Sequence, residues 1–143
     1  MSVRIRPLRA SDYTDVVRLL QGSGLPARTK GRDRRSAFMA QLRSNRIGYL
    51  GAFDGQRLVG VVFGTHDTRK GWINRLAVHP DHRRSGIAKR LVRACEASLR
   101  SAGMEMFCAI IEPDNGASEA LFRDLGYEIM PMIYARRKLR DEV

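Results

Sequence analysis

Residues 72–90 constrain the fold of this chain more than any other stretch. Trp72 to Val78 is a mostly apolar stretch of strand length, a short polar turn follows, and a basic segment with one glycine then opens a helix. The N–H groups at a helix N-terminus have no partners within the helix, and the helix dipole adds partial positive charge there. Gly86 lets an anion approach the main chain because it carries no Cβ. The stretch therefore predicts a phosphate-binding site, although a basic strand–loop–helix junction without a ligand gives the same pattern.

The spacing of the motif Arg83-x-x-Gly86-x-Ala88 separates it from two other phosphate loops. Neither Gly-x-x-x-x-Gly-Lys-Ser/Thr nor Gly-x-Gly-x-x-Gly is present. The motif resembles instead the loop that binds the pyrophosphate of acyl-CoA in the GNAT N-acetyltransferase superfamily, usually written Gln/Arg-x-x-Gly-x-Gly/Ala. The segment from Leu76 to Pro80 is similar to the strand that precedes that loop in the family.

A second motif of the superfamily follows after one predicted helix and one predicted strand. The family pattern is Asn-x-x-Ala-x-x-Leu-Tyr-x-x-x-Gly-Phe, and this chain has Asn115-x-x-Ser118-x-x-Leu121-Phe122-x-x-x-Gly126-Tyr127. Two motifs in the same order are far more specific than either alone. The chain is identified as a member of the GNAT superfamily over roughly residues 48–139, and it looks closest to the YpeA-like and ribosomal-protein N-terminal acetyltransferase-like branches.

The resemblance implies acetyl-CoA as co-substrate and assigns residues to it. Main-chain groups of Leu76 and Val78 would bind the pantetheine arm, and an N–H there would polarise the thioester carbonyl, while both side chains belong to the core. Asn115 has two interpretations, a helix cap and a contact with the cofactor arm, which are compatible. The full set of implied cofactor-binding residues is Leu76, Ala77, Val78, Arg83, Arg84, Ser85, Gly86, Ile87, Ala88, Lys89, Asn115, Ser118 and Phe122.

The catalytic acid and base are less well defined by the sequence. Many members of the family protonate the departing thiolate with a tyrosine at the position that Phe122 occupies here. Phe122 is expected to face the cofactor gap, where a tyrosine would disturb folding little. Glu112 is the nearest acid on the strand expected to line the gap, and Tyr134 could supply a hydroxyl from the last strands. The alternatives are a solvent-facing Glu112 and a packed, half-buried Tyr134; His66 and Asp67 are weaker candidates.

The order of predicted elements agrees with the fold that the resemblance implies. That fold is α/β, with a central, mostly antiparallel twisted sheet, splayed fourth and fifth strands and about four helices, and residues 1–143 form a single domain. Asp54-Gly55 between apolar runs predicts a hairpin. The predicted strands are 3–8, 47–53, 58–65, 72–78, 105–111 and a closing segment from Ile129 to Leu139; the predicted helices are about 12–21, 37–44, 87–102 and 115–125.

The composition limits the classes of partner that we expect this chain to bind. The net charge of +11 comes from basic residues spread along the chain. Such a charge could attract polyanions, but a solvated basic surface is the preferred interpretation. The small number of aromatic residues argues against a nucleic-acid partner. Cys95 and Cys108 are predicted to be buried thiols, with no metal site. No apolar run is long enough to span a membrane and no signal peptide precedes the domain, so a cytoplasmic protein is expected, with a homodimer left open.

The predicted function is acetyl-CoA-dependent N-acetylation of a primary amine, by direct attack on the thioester. A protein N-terminus and a small amino compound both remain open as acceptors. Two alternatives belong to other classes: a catalytically degenerate domain that binds acyl-CoA as a sensor or partner, and, least favoured, a basic nucleic-acid-binding module.

Overall fold

The computed structural model describes residues 2–143 as one five-stranded sheet covered by helices. The strands lie in chain order, and every neighbouring pair is antiparallel except the last, β4 and β5, which is parallel. The elements are β1 (Val3–Pro7), α1 (Tyr13–Gly22), α2 (Arg35–Ser44), β2 (Tyr49–Asp54), β3 (Arg57–His66), β4 (Gly71–Val78), α3 (Ile87–Ser101), β5 (Phe107–Ala109) and α4 (Gly116–Asp124). Short 3-10 turns, Ala10–Asp12 and Pro80–His82, precede α1 and α3.

Both faces of the sheet are covered, which explains the nearly continuous apolar runs of β2 and β3. One face packs against α3 and α4 through a core that includes Val62, Leu91 and Phe122. The opposite face packs against α1 and α2 through a core that includes Leu20 and Phe38. The predicted hairpin at Asp54-Gly55 is confirmed, with Gly55 in the left-handed region at a φ of +62°.

Helix α3 packs closely against the sheet at Gly64. Its buried stripe repeats at helical spacing and includes Leu91, Cys95 and Leu99. A side chain at Gly64 of β3 would collide with the Cys95 sulfur, so the absence of a Cβ there permits the approach. This packing fixes the start of α3 relative to the end of β4.

Strands β4 and β5 pair over only three positions, Gly71 with Phe107, Trp72 with Cys108 and Ile73 with Ala109. β4 continues for five more residues to Val78, paired with β3 alone. The two strands therefore separate beyond Ile73, which confirms the predicted splay. β5 is shorter than the predicted 105–111.

The predicted closing strand from Ile129 to Leu139 is wrong: these residues form neither strand nor helix. Pro131 has no N–H to donate to a ladder, and the three-residue β5 offers few backbone partners at the edge of the sheet. Apolar side chains of the segment consequently remain exposed, among them Met132 and Ile133. No helix within residues 2–143 is long and apolar enough to cross a membrane.

Candidate functional site

The divergence of β4 and β5 leaves one edge of β4 without a strand partner. His79 donates its N–H to the Val59 carbonyl of β3, at 2.8 Å. Along an antiparallel strand, residues whose main-chain N–H and C=O groups bond to the neighbouring strand alternate with residues whose groups point away from it. The main chain of Ala77 therefore also bonds to β3. The main-chain groups of Leu76 and Val78 then point into the space beside β5. We call this space, between residues 74–78 and the chain after Ala109, the β4–β5 gap.

The loop before α3 leaves main-chain N–H groups exposed at the start of the helix. Gly86 is the N-cap of α3 with a φ of +80°, and Arg84 also has a positive φ, +63°. The first hydrogen bond of the helix runs from Arg90 N to Gly86 O at 3.1 Å. The N–H groups of residues 87–89 come before it and have no acceptor within the helix. A Cβ built at Gly86 would meet no heavy atom within 4 Å. Free donors, open space and the positive end of the helix dipole thus coincide.

The loop and the β4–β5 gap are neighbours. Arg83 directs its Nε toward the Val78 carbonyl, at 3.4 Å, which places the basic loop at the end of β4. Ser85 closes the turn by donating its hydroxyl to the His82 carbonyl. Lys89 lies 3.7 Å from the Asp124 carboxylate and links α3 to α4 on an exposed surface. The structure therefore brings residues 76–78 and 83–89 together, as the motif requires.

Asn115 caps α4, as one of its two interpretations predicts. Its Oδ1 accepts the N–H of Ser118 at 3.1 Å, and its own N–H donates to the Glu112 carbonyl at 3.0 Å. Within residues 2–143 the side-chain NH₂ of Asn115 has no hydrogen-bond acceptor. A donor thus remains free for a ligand, and a contact between Asn115 and the cofactor arm stays a prediction.

Phe122 lies in the core rather than on the surface of the gap. Only 4% of the residue is exposed, and its ring packs edge-to-face against Tyr127, with the centroids 4.9 Å apart. Phe122 follows the helical stripe of α4 that faces α3 and the sheet, so the expectation that its side chain faces a wet gap is corrected. A hydroxyl at this position would enter an apolar environment.

A polar cluster around the buried carboxylate of Glu96 joins α3 to the end of α4. Tyr127 donates its hydroxyl to Glu96 Oε2 at 2.6 Å, and Arg93 donates to Glu96 Oε1 at 2.8 Å. Arg93 also donates to the Leu125 carbonyl at 3.1 Å, which joins the end of α4 to α3. Burial, together with the Glu96 carboxylate, raises the pKa of Tyr127. The sequence did not predict this cluster because Tyr127 lies 31 positions from Glu96, although Arg93 and Glu96 are neighbours on α3.

We expect Phe122→Tyr to lower the free energy of unfolding by about 1–3 kcal/mol, since the new hydroxyl would be buried without a partner. Urea denaturation of both proteins measures the difference. Phe107→Tyr is the matched control, because Phe107 lies half-buried on the short strand β5, where a hydroxyl can reach water. Equal urea midpoints for wild type and Phe122→Tyr would show that the side chain at position 122 is in contact with water.

The two candidate catalytic residues lie in exposed positions. Glu112 follows β5 by three residues, and its carboxylate makes no ion pair within residues 2–143. Tyr134 is 65% exposed on the segment that is not a strand, so it is not the packed, half-buried tyrosine of the alternative interpretation. No described contact joins Glu112 to Tyr134. Asp67 has a structural role, because hydrogen bonds from the N–H groups of Lys70 and Arg69 lower its pKa and close the turn between β3 and β4.

One ion pair beside the gap was not predicted. Arg75 of β4 contacts Asp33 at 3.2 Å and donates to the Pro26 carbonyl at 2.7 Å, with both charged side chains about 14% exposed or less. Tyr13 donates its hydroxyl to the Asp33 carbonyl at 2.6 Å. The loop between α1 and α2 is therefore fastened to β4, one residue before Leu76. The only sequence signal was a single aspartate within a basic run.

An aromatic pocket lies under that loop. The rings of Tyr49 and Phe63 stack with centroids 4.3 Å apart, and Phe38 packs against both. Burial and the Asp33 charge raise the pKa of Tyr49 to about 12. Arg32 and Asp33 complete the rim of the pocket.

The two cysteines are free thiols in the structure. Cys95 is fully buried, as predicted, and burial raises its pKa to about 12. Cys108 is partly buried on β5. Among residues 2–143, no three His, Cys, Asp or Glu side chains are grouped so that they could hold a metal ion.

Comparisons with known proteins find relatives that cover most of the chain. The sequence profile of the acetyltransferase (GNAT) family matches residues 13–127. An acetyltransferase of Sodalis glossinidius (strain morsitans) is 26% identical over 142 residues, which cover 98% of this chain and 99% of the relative.

Two solved structures share the fold over almost the whole chain. PaiA N-acetyltransferase from Thermoplasma acidophilum, solved in complex with coenzyme A, superposes with a TM-score of 0.83 at 17% identity, over 93% of this chain and 94% of that chain. Ribosomal-protein-alanine N-acetyltransferase from Brucella melitensis biovar Abortus 2308 superposes with a TM-score of 0.72 at 21% identity, over 96% of this chain and 100% of that chain.

Proposed function

The chain belongs to the acetyltransferase (GNAT) family, and from that membership we propose that it transfers the acetyl group of acetyl-CoA to a primary amine. The acceptor is a protein N-terminus or a small amino compound. A relative of nearly equal length bears the name acetyltransferase, and a structural neighbour was solved with coenzyme A. The observation that carries the proposal is the gap beside Leu76 and Val78, which ends at the open loop of Gly86.

The residues present fit acetyl-CoA as co-substrate. The N–H groups of Ile87, Ala88 and Lys89 would hold the pyrophosphate, with Arg83 and Arg84 supplying mobile positive charge around it. Leu76 and Val78 would bind the pantetheine arm through their main-chain groups, as a strand pairs with an edge. The free NH₂ of Asn115 would donate to the same arm. Phe122 would support the site indirectly, because its buried side chain packs α4 against α3.

The chemistry then needs only an oriented carbonyl and a proton acceptor. The neutral amine attacks the thioester carbonyl, a C–N bond forms, and the C–S bond breaks as coenzyme A leaves as thiolate. A main-chain N–H on β4 would stabilise the negative charge that develops on the carbonyl oxygen, a contribution of typically a few kcal/mol to the barrier. Glu112 would take the ammonium proton, directly or through a water molecule, so that the amine is neutral when it attacks, and the nitrogen would lose its second proton to solvent as the C–S bond breaks. Tyr134 or solvent would return a proton to the thiolate afterwards.

Release of free thiol from acetyl-CoA in the presence of amines tests the proposal. We expect thiol release that depends on the acceptor, with peptides of free N-terminus and small primary amines as the probes. N-terminally blocked peptides are the control, because they lack the attacking amine. Calorimetric titration with acetyl-CoA runs in parallel. Binding of acetyl-CoA without thiol release for any acceptor would make the protein an acyl-CoA-binding partner domain instead of an enzyme.

A further inference from the structure

Two basic segments that are distant in the sequence meet in the structure. Arg140 donates to the Lys30 carbonyl at 2.7 Å, and Gly31 packs against the backbone of Glu142 and Val143. Residues 28–35 contribute five basic side chains and residues 136–140 contribute four. We call the surface formed by these two segments the basic face.

Most of the positive charge on the basic face is available to a partner. The five basic residues of 28–35 are exposed, and so are Arg136, Arg137 and Arg140. Asp33, the one acid within the first segment, is already paired with Arg75. Glu142 lies 3.5 Å from Arg140 and offsets one charge of the second segment. The basic face thus holds an excess of cations that no described residue neutralises.

The basic face borders the β4–β5 gap. Arg75 fastens the loop of residues 26–33 to β4 through the Asp33 carboxylate and the Pro26 carbonyl. The next residue, Leu76, presents its main chain to the gap. An acceptor that places its amine at the gap would therefore have its following groups beside the basic face.

We propose that the basic face binds acidic side chains that closely follow the N-terminal amine of a polypeptide acceptor, and so selects acidic N-termini. The proposal rests on the proposed function and deepens it. A polypeptide fits better than a nucleic acid because exposed apolar side chains flank the second segment, with Met132 at 81% and Ile133 at 100% exposure. Surfaces that bind single-stranded nucleic acid combine positive charge with stacking aromatics, and Tyr134 is the one aromatic side chain exposed on residues 128–142.

Matched peptides test the selectivity. Three peptides share an N-terminal Ala and their length, and carry Asp/Glu, Asn/Gln or Lys at positions two to five. We expect kcat/KM from thiol release to be about 10-fold or more higher for the acidic peptide than for the neutral one at low salt, since complementary charge raises encounter rates by 10-fold or more. The preference should shrink in 0.5 M NaCl, where screening acts over a few ångströms.

Charge reversal on the basic face gives the direct control. Arg32→Glu/Arg136→Glu should remove the acidic preference while leaving turnover of the neutral peptide in place. Arg4→Glu/Arg69→Glu changes the net charge equally at exposed sites outside the basic face, and should keep the preference. Equal kcat/KM for acidic and neutral peptides in wild type, or a preference that persists in Arg32→Glu/Arg136→Glu, overturns the proposal and leaves the acetyltransferase assignment intact.

Fluorescence anisotropy of labelled peptides separates this proposal from the catalytic one. Binding of the acidic peptide to the protein saturated with coenzyme A should be lost in Arg32→Glu/Arg136→Glu even if no peptide is acetylated. Failure to bind the acidic peptide overturns the proposal whatever the thiol assay gives. Tighter binding of a single-stranded oligonucleotide, lost in the same variant, overturns it in favour of a nucleic-acid surface.

Discussion

Replacing Gly86 with valine is expected to abolish binding of acetyl-CoA. The Cβ of residue 86 would point into open space, with no protein atom within 4 Å, so the branched side chain would occupy the volume left for the pyrophosphate. The neighbouring N–H groups at residues 87–89 would then be shielded from an anion. At a ligand concentration of about 100 Kd, wild type should gain about 2.7 kcal/mol of stability from the ligand, and Gly86→Val should gain none.

Valine at this position also strains the backbone, so the experiment needs a matched control. Gly86 has a φ of +80°, and a non-glycine residue there costs about 1–3 kcal/mol. Gly103, at the other end of α3, has a φ of +93° and equally open surroundings. Gly103→Val should therefore be destabilised to a similar extent but keep full protection by acetyl-CoA in thermal unfolding. Equal protection of Gly86→Val and Gly103→Val would place the cofactor elsewhere.

The second large effect is expected at Glu112. If its carboxylate accepts the ammonium proton, or holds the water that does so, Glu112→Gln should lower kcat by roughly 10²–10⁴-fold with acetyl-CoA binding retained, because the amide has the same shape but cannot accept the proton. Steady-state thiol release gives kcat, and the thermal shift with acetyl-CoA reports binding. Separate readouts distinguish a lost base from a lost cofactor site.

Glu105 provides the control for that substitution. It is an exposed glutamate before β5, whereas Glu112 follows the strand. Glu105→Gln should leave kcat within about threefold of wild type. A drop of less than about threefold in Glu112→Gln as well would contradict the assignment and leave proton removal to another group or to bulk water.

Local patterns were sufficient to predict the scaffold of the site. Three features depend on residues that are neighbours in the chain, and all three are found as predicted: the mostly apolar strand β4, the glycine at the start of α3 and the Asp54-Gly55 turn. The family resemblance read from the two motifs is confirmed by the family profile. The cap formed by Asn115 is equally local, since its partner is Ser118.

Features that depend on packing between distant segments were not predictable. Arg75 and Asp33 are 42 positions apart, and nothing in the basic run indicates that its one aspartate reaches β4. Phe122 matched a motif position, but its burial follows from how α4 packs on α3. The prediction of a closing strand over residues 129–139 is wrong because a strand also needs an edge to pair with, and β5 ends at Ala109.

A crystal structure of the protein with coenzyme A is the most direct measurement of the central assignment. The pyrophosphate should accept hydrogen bonds from the N–H groups of residues 87–89, at about 2.7–3.2 Å between heavy atoms. The pantetheine arm should lie along Leu76 and Val78 in the β4–β5 gap. Coenzyme A bound anywhere else, with the loop at Gly86 free of phosphate, would contradict the assignment.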